Sequence, residues 1–542
     1  MAMTRRGFLA APPALAALAL LPSPLLAAVA AQTPTLPDLS DWEAVRAQFA
    51  LDPAYLHFAS FFIASHPAPV RDAIEGYRRA IDANPFLVLE RGLFEDEAHN
   101  VPLQVQTEIA EYLGGRAADV CLTPNTTTGL ALVYHGLPLE PGDEVLCTTH
   151  DHYSHHESIR LATERAGASM RKIPLFADAA SATTGSLVDA LLAGIGPKTR
   201  VVGLTWVHSA SGIRLPIREL AAALRARSGP PLLLVVDGVH GLGSTDETVA
   251  GMGCDYFCAG THKWMFAPRG TGLVWANAEN WARLRPTVPS FSDFDQYVAW
   301  EKGTAPASPT NANRVSPGGF VAYDHQWATA AAFRMHRQMG KARVAARIRS
   351  LNDQCKAGLA ENRKVKIHTP MSGDLSAGLV SFEVDGVAPA QVVKQLLARN
   401  IIASTSPYAI TYARLAPSLV NTPEQVEQAV RAQLRGVGPD GEAREANSFA
   451  GIKFTETDIV YGDLYGQVFV SLNPRTDGAR EVTEVVDDMR QAITTMGGPG
   501  EKSFTVLSGG PPAGRPISVK VRGDDFSLIE AAVADLKTIV QR

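Results

Sequence analysis

The chain has 542 residues, 46% of them hydrophobic and 19% charged, which suggests about three units at roughly 150 residues each. Its formal net charge of −5 is spread without a basic stripe, so nucleic acid is not an expected partner. Five cysteines, at positions 121, 147, 254, 258 and 355, cannot all pair with one another, and most lie in apolar strand-like runs. They read as free, buried thiols, and 254 and 258 are spaced too closely along a strand to close a relaxed bridge.

At the N-terminus, Thr4-Arg5-Arg6-Gly7-Phe8-Leu9 precedes an Ala/Leu/Pro-rich stretch ending in Ala28-Val29-Ala30-Ala31. Residues 1–31 read as a twin-arginine export signal with a small-residue cleavage site, which predicts a periplasmic protein carried across already folded. The apolar part is short and broken by proline, unlike a membrane span. Residues 32–54 are expected to wrap the core, with a helix around 42–49.

Pro124-Asn125-Thr126-Thr127-Thr128-Gly129 stands before the apolar run 130–133. Hydroxyls and backbone N–H groups at such a helix start form an anion site, or an ordinary N-cap. A strand over 144–149 leads into His150-Asp151-His152-Tyr153-Ser154-His155-His156. Convergence of His152, His155 and His156 on one ion would make a metal site, but no cysteine or carboxylate set has structural-site spacing, and no metal is expected. A strand over 201–207 is followed by His208-Ser209-Ala210-Ser211-Gly212.

The run 232–236 ends in Asp237, at the strand end where open α/β sheets place ligand-binding groups. The segment DYFCAGTHKWMFAPRGTGLVWA then carries Lys263. A lysine there can form a Schiff base with an aldehyde cofactor, and an aspartate can keep a pyridine nitrogen protonated, so the pair points to pyridoxal phosphate. Taken singly, Asp237 also fits a loop cap and Lys263 a solvated surface lysine.

These motifs, in this order, resemble the class V aminotransferase family of fold-type I pyridoxal-phosphate enzymes, from about Tyr55 to about Leu434. The resemblance implies an α/β fold: a large mixed-sheet α/β/α domain over 55–320 and a small α/β domain over 321–436. It implies that Lys263 in His262-Lys263-Trp264 holds the cofactor and serves as general base, with Asp237 on the pyridine nitrogen. His240 would lie at the phenolic oxygen, Thr126 and Thr127 at the phosphate, Tyr153 on the ring face and His262 beside the lysine as a further cofactor contact. Arg414, in Tyr412-Ala413-Arg414-Leu415-Ala416-Pro417 before Asn421-Thr422-Pro423-Glu424, would clamp a substrate carboxylate.

The same resemblance implies a small amino-acid substrate and a homodimer. Transamination, racemisation or elimination would each follow from removal of the α-proton. The pattern is most similar to the isopenicillin N epimerase-like branch.

Two departures stand out. Where the family carries a Gly-Thr pair reaching the partner subunit's phosphate, this chain reads Arg314-Val315-Ser316-Pro317-Gly318-Gly319. The loop 368–378 has no cysteine of the kind desulfurases use, and Cys355 fits a helical packing pattern.

After Gly436-Val437-Gly438-Pro439-Asp440-Gly441, a linker over 437–446 leads to a module over 447–542. Its expected order is a strand at 465–472, a helix at 482–493, a strand at 517–521 and a helix at 528–540. Leu472-Asn473-Pro474-Arg475 and the Gly509-Gly510-Pro511-Pro512 segment are similar to the periplasmic porter region of resistance-nodulation-division efflux pumps. Contact with efflux machinery is one implication and a fusion relic another. Alternative functions are an inactive binding protein that keeps the fold and an efflux-accessory protein acting through this module.

Overall fold

A computed structural model describes residues 36–94, 99–434, 443–454, 459–472, 482–495, 503, 504 and 530. The chain divides into two units, residues 1–435 and 436–542. In the first, a two-residue strand β1 (Leu56–His57) precedes a seven-stranded sheet. Its members are β2 (Val120–Thr123), β3 (Glu144–Thr148), β4 (Ser169–Ile173), β5 (Thr199–Thr205), β6 (Leu233–Asp237), β7 (Tyr256–Gly260) and β8 (Gly272–Trp275), in spatial order β2-β8-β7-β6-β5-β3-β4. Only β8 runs antiparallel to its neighbours, so the other six share a carboxyl edge.

A sheet covered on both faces needs strands that are apolar at successive positions. Val202, Leu204, Leu234, Val236 and Phe257 feed one core, while Val201, Val235, Tyr256 and Cys258 feed the other. This alternation is the period of a strand, applied with both faces dry. All five cysteines are buried and free.

Past residue 321 the chain first returns to the large sheet's core. Helix Tyr323–Met339 lays Trp327 edge-on against Tyr77, 5.4 Å between ring centroids, on helix Ala68–Ala83. Helix Lys341–Ala360 then leads to a small antiparallel sheet of β9 (Val365–Ile367), β10 (Val380–Val384), β12 (Ser404–Thr405) and β13 (Ala413–Leu415), ordered β12-β13-β10-β9. Strand β11 (Ile401–Ile402) instead pairs in parallel with β1, and Phe58 enters the core beneath the small sheet with Leu351, Phe382 and Leu415. The N-terminal segment is thereby tied across the small sheet, and its next residues run on toward the lysine loop.

In the second unit, β14 (Ala443–Phe454) and β15 (Ile459–Leu472) form an antiparallel hairpin, followed by helix Val482–Thr495. Strand β14 begins inside the stretch expected to be linker. The export signal, the Asn473-Pro474-Arg475 and Gly-Gly-Pro-Pro motifs, the strand at 517–521 and all but residue 530 of the helix at 528–540 lie outside the described residues. Among the described residues no helix is long and apolar enough to cross a membrane.

Candidate active site

Asp237 closes β6 at the shared carboxyl edge and is 2% exposed. Its Oδ1 accepts the Val239 N–H at 3.1 Å. The turn after it needs glycine, because a Cβ on Gly238 would lie 2.0 Å from the Phe257 ring. Burial raises the Asp237 carboxyl to about 6, against the pull of the Val239 N–H and of Lys263. A buried carboxylate under that strain is stabilised by a cation placed against it.

Lys263 follows β7 on a tight loop. Two residues beyond Trp264, Phe266 holds a left-handed φ of 54°, uncommon for a bulky residue. Packing fixes it there: its ring meets Phe49 edge-on at 4.9 Å and stacks on His336 at 5.7 Å. Burial lowers the Lys263 ammonium to about 8, with Asp237 opposing the shift and Arg414 adding to it. Lys263 Nζ lies 3.2 Å from His240 Nε2. The Trp264 indole N–H donates to His240 Nδ1 at 3.2 Å, so the neutral imidazole carries its proton on Nε2, toward the lysine. Burial and then Lys263 hold His240 well below the usual imidazole range, which keeps it neutral.

On the other side of Lys263, Asn125 caps helix Thr126–Gly136 and accepts the Thr128 N–H at 2.9 Å. The Thr126 hydroxyl accepts the Gly260 N–H at 2.7 Å. His262 Nδ1 is buried without a hydrogen-bond partner. A Cβ built on Gly260 would lie 3.1 Å from both that nitrogen and Thr126 Oγ1, so the two flank one point at the helix start. Thr127 is exposed in the same first turn. A helix N-terminus, a hydroxyl and an unsatisfied imidazole fit a phosphate group.

Arg414, on β13, is 4% exposed. Its guanidinium donates to Ser404 Oγ at 3.2 Å, to the Thr405 carbonyl at 2.8 Å and to the Ser209 carbonyl, and lies 4.8 Å from the Phe61 ring centroid. Burial brings it down to about 10. Ser209 Oγ and Tyr408 OH share a hydrogen bond of 2.7 Å. The lysine, the acid, the phosphate cradle and the arginine thus come from β7, β6, the helix after β2 and β13.

One placement needs correction. Tyr153, expected on the cofactor face, is 72% exposed at the start of helix Tyr153–Ala166. The ring turned inward is its neighbour His152, the N-cap, which accepts the Ser154 N–H at 3.2 Å. His152 is lowered by burial first and then by Lys263, with Arg414 also acting on it, and its ring meets Tyr408 at 6.1 Å. The helix begins at Tyr153, one residue earlier than would put Tyr153 in the inward N-cap position that His152 holds. Sequence reasoning missed Phe61 and Tyr408, while Ser209 lies in the 208–212 segment that follows a strand end and that the family resemblance puts along the cofactor.

The histidines of this loop diverge. His155 Nε2 bonds Tyr134 OH at 2.7 Å inside the core, and His156 Nε2 bonds the Thr148 carbonyl at 2.7 Å. Cys147, Asp151 and His156 approach within 4.8 Å of one another. Asp151 is already held by the Thr148 and Thr205 N–H groups, and burial pushes the Cys147 thiol up to about 12, far from the thiolate a metal takes. In the segment replacing the Gly-Thr pair, Arg314 is bound by Asp293 and Asp295, and Ser316 Oγ donates to the Leu122 carbonyl at 2.9 Å. Cys355 is fully buried in helix Lys341–Ala360.

The aminotransferase class-V family matches residues 63–433. The isopenicillin N epimerase of Streptomyces clavuligerus is 26% identical over 408 residues, covering 73% of this chain and 98% of its own length. A probable cysteine desulfurase of Pseudomonas aeruginosa is 28% identical over 374 residues, covering 66% of this chain and 84% of its own. Among solved structures, the cystine C-S lyase C-DES, as a variant with glycine linked to its PLP cofactor, superposes with a TM-score of 0.62 at 23% identity, covering 73% of this chain and 98% of its own. The cysteine desulfurase of Thermococcus onnurineus does so with 0.62 at 19%, again over 73% and 98%.

Proposed function

From the premise that this chain belongs to the class-V aminotransferase family of pyridoxal-phosphate-dependent enzymes, we propose that it removes the α-proton of an amino acid with Lys263 as the base. The cofactor supplies an aldehyde for the lysine and a ring that accepts the electron pair released at the α-carbon. Asp237 fits the ring nitrogen, because a protonated pyridine is the partner a buried carboxylate at that depth lacks. Thr126, His262 and the helix start fit the phosphate, and His152 fits the ring face.

The observation that carries this reading is the cluster of buried Asp237 and His240 with half-buried Lys263 at the carboxyl edge of the sheet. Burial brings Lys263 down from 10.5 to about 8, which makes its neutral, basic form far more accessible near neutral pH than in an ordinary lysine. His240 Nε2, 3.2 Å away, orients its nitrogen. Arg414 keeps donor hydrogens beyond its three protein bonds for a substrate carboxylate.

Among the outcomes open to such a site, epimerisation, transamination and elimination all begin with this proton. The epimerase relative, matched over 98% of its length, favours an epimerase-like substrate exchange at the α-carbon. Persulfide chemistry is disfavoured by the lack of cysteine in residues 368–378 and by burial of all five thiols.

A homodimer is also proposed, and the exposed Phe291 and Phe320, with ring centroids 6.3 Å apart, are an apolar pair that such an interface would cover. Export through Arg5-Arg6 is likewise proposed, and with it a periplasmic site of action. Screening amino acids against the absorbance of the cofactor-loaded protein tests the function. A spectral response to amino acids but not to amines lacking a carboxylate supports it, and no response to any amino acid refutes it.

A further inference from the structure

Beyond the catalytic lysine, its loop ends in Arg269-Gly270, where Gly270 takes a φ of 77° and turns the chain outward with Arg269 exposed. The segment carrying Phe61 runs alongside, held to the loop by the Ala64 N–H on the His262 carbonyl at 3.0 Å. Two residues further, His66 is only 8% exposed, and its Nε2 is buried without a hydrogen-bond partner. A buried polar atom left unsatisfied in a native fold asks for a missing partner.

The charged neighbours of His66 define that partner's sign. Burial first, and then Arg269, His325 and Arg71, bring its imidazole down to about 4. Arg71 is already committed to the His66 and Gln48 carbonyls, which leaves Arg269 as the other guanidinium acting on His66, and the His325 ring lies edge-on to it with centroids 6.3 Å apart. The Asp324 carboxylate lies 3.2 Å from His325 Nδ1 and accepts the main-chain N–H of His325. Helix Ala68–Ala83, which starts just after His66, has no acid in its first turn and adds the positive end of its dipole.

We propose that His66, Arg269 and His325 form an oxyanion subsite beside the lysine loop, separate from the phosphate cradle at Thr126 and from Arg414, that takes a carboxylate or phosphate. The bound anion satisfies His66 Nε2 as an N–H donor and compensates Arg269. Such a group is either a free anion or a second, distal carboxylate on a molecule that enters the active site.

The test is calorimetric titration of the cofactor-loaded protein, its phosphate cradle filled, with inorganic phosphate and separately with glutarate. Saturable binding of at least one anion is expected, weakened about tenfold or more in both Arg269→Gln and His66→Asn with the cofactor absorbance unchanged. Tighter glutarate binding assigns the site to carboxylates and tighter phosphate binding to phosphates. Arg269 is exposed, so its substitution leaves the fold intact and keeps the test decisive if His66→Asn is unstable. Absence of saturable binding, or affinity unchanged in Arg269→Gln, overturns the proposal.

Discussion

Asp237→Asn in the cofactor-free protein is expected to raise stability above pH 6 while weakening the cofactor's hold. The Asp237 carboxyl is raised from 3.8 to about 6 by burial, so the folded state binds its proton more tightly than the unfolded chain does. Stability from this group is therefore fully present below about pH 4 and is lost as the pH climbs to about 6. Two units at about 1.4 kcal/mol each give a cost of about 3 kcal/mol at neutral pH. Asparagine still accepts the Val239 N–H but carries no charge, so it removes most of that cost, less the lost attraction to Lys263. Thermal unfolding of cofactor-free wild type and variant from pH 4.5 to 8 measures the difference. The gap is expected to open between pH 4.5 and 6.5 in the variant's favour, and to close or reverse once cofactor is added, because the ring cation then compensates Asp237. A variant less stable than wild type across the whole range without cofactor would refute the account of Asp237 as a strained acid awaiting a cation.

Arg414→Lys keeps a charge but loses the planar fork; it is expected to weaken amino-acid binding by roughly 100-fold, about 3 kcal/mol, read as the concentration that half-saturates the spectral response. Unchanged affinity would leave Arg414 a purely structural link between Ser209, Ser404 and Thr405. His152→Ala should shift the cofactor absorbance and loosen the cofactor, whereas Tyr153→Ala should do neither; the opposite pattern would restore Tyr153 to the ring face. Thr126→Val removes the acceptor of the Gly260 N–H and is expected to raise the cofactor dissociation constant about tenfold, measured by fluorescence titration. Ending the chain near Pro439 should leave the cofactor spectrum unchanged, since every residue assigned to the site precedes it, and a truncated protein that loses cofactor would make the second unit part of the enzyme.

Asp237, Lys263, His262 and Thr126 could be singled out in the sequence because each closes or follows a strand or opens a helix, where residue type and position jointly limit the chemistry, whereas Arg414, in the middle of β13, was singled out through the family resemblance alone. The runs 201–207 and 232–237 were read as strands, and the structure ends β5 at Thr205 and β6 at Asp237, both on the shared edge. The antiparallel insertion of β8 between β2 and β7 was not legible, since a buried strand reads the same in either direction. His152 and Tyr153 were exchanged because one residue of helix register decides which ring faces inward. Phe61 and Tyr408 were missed because they reach the site through tertiary packing, Phe61 against Trp264 and Arg414, and Tyr408 against Ser209. Strand β14 was hidden by charged and small residues that lower its strand signal, a common fate of two-stranded pairs.

The central claim is that Lys263 binds the cofactor covalently. Borohydride reduction of the yellow, cofactor-loaded protein, followed by proteolysis and mass spectrometry, should fix the pyridoxyl label on the peptide containing Lys263 and nowhere else. Lys263→Ala should fold, retain the dimer or monomer state of wild type and take no label. A label on any other lysine, or one that survives in Lys263→Ala, would contradict the account.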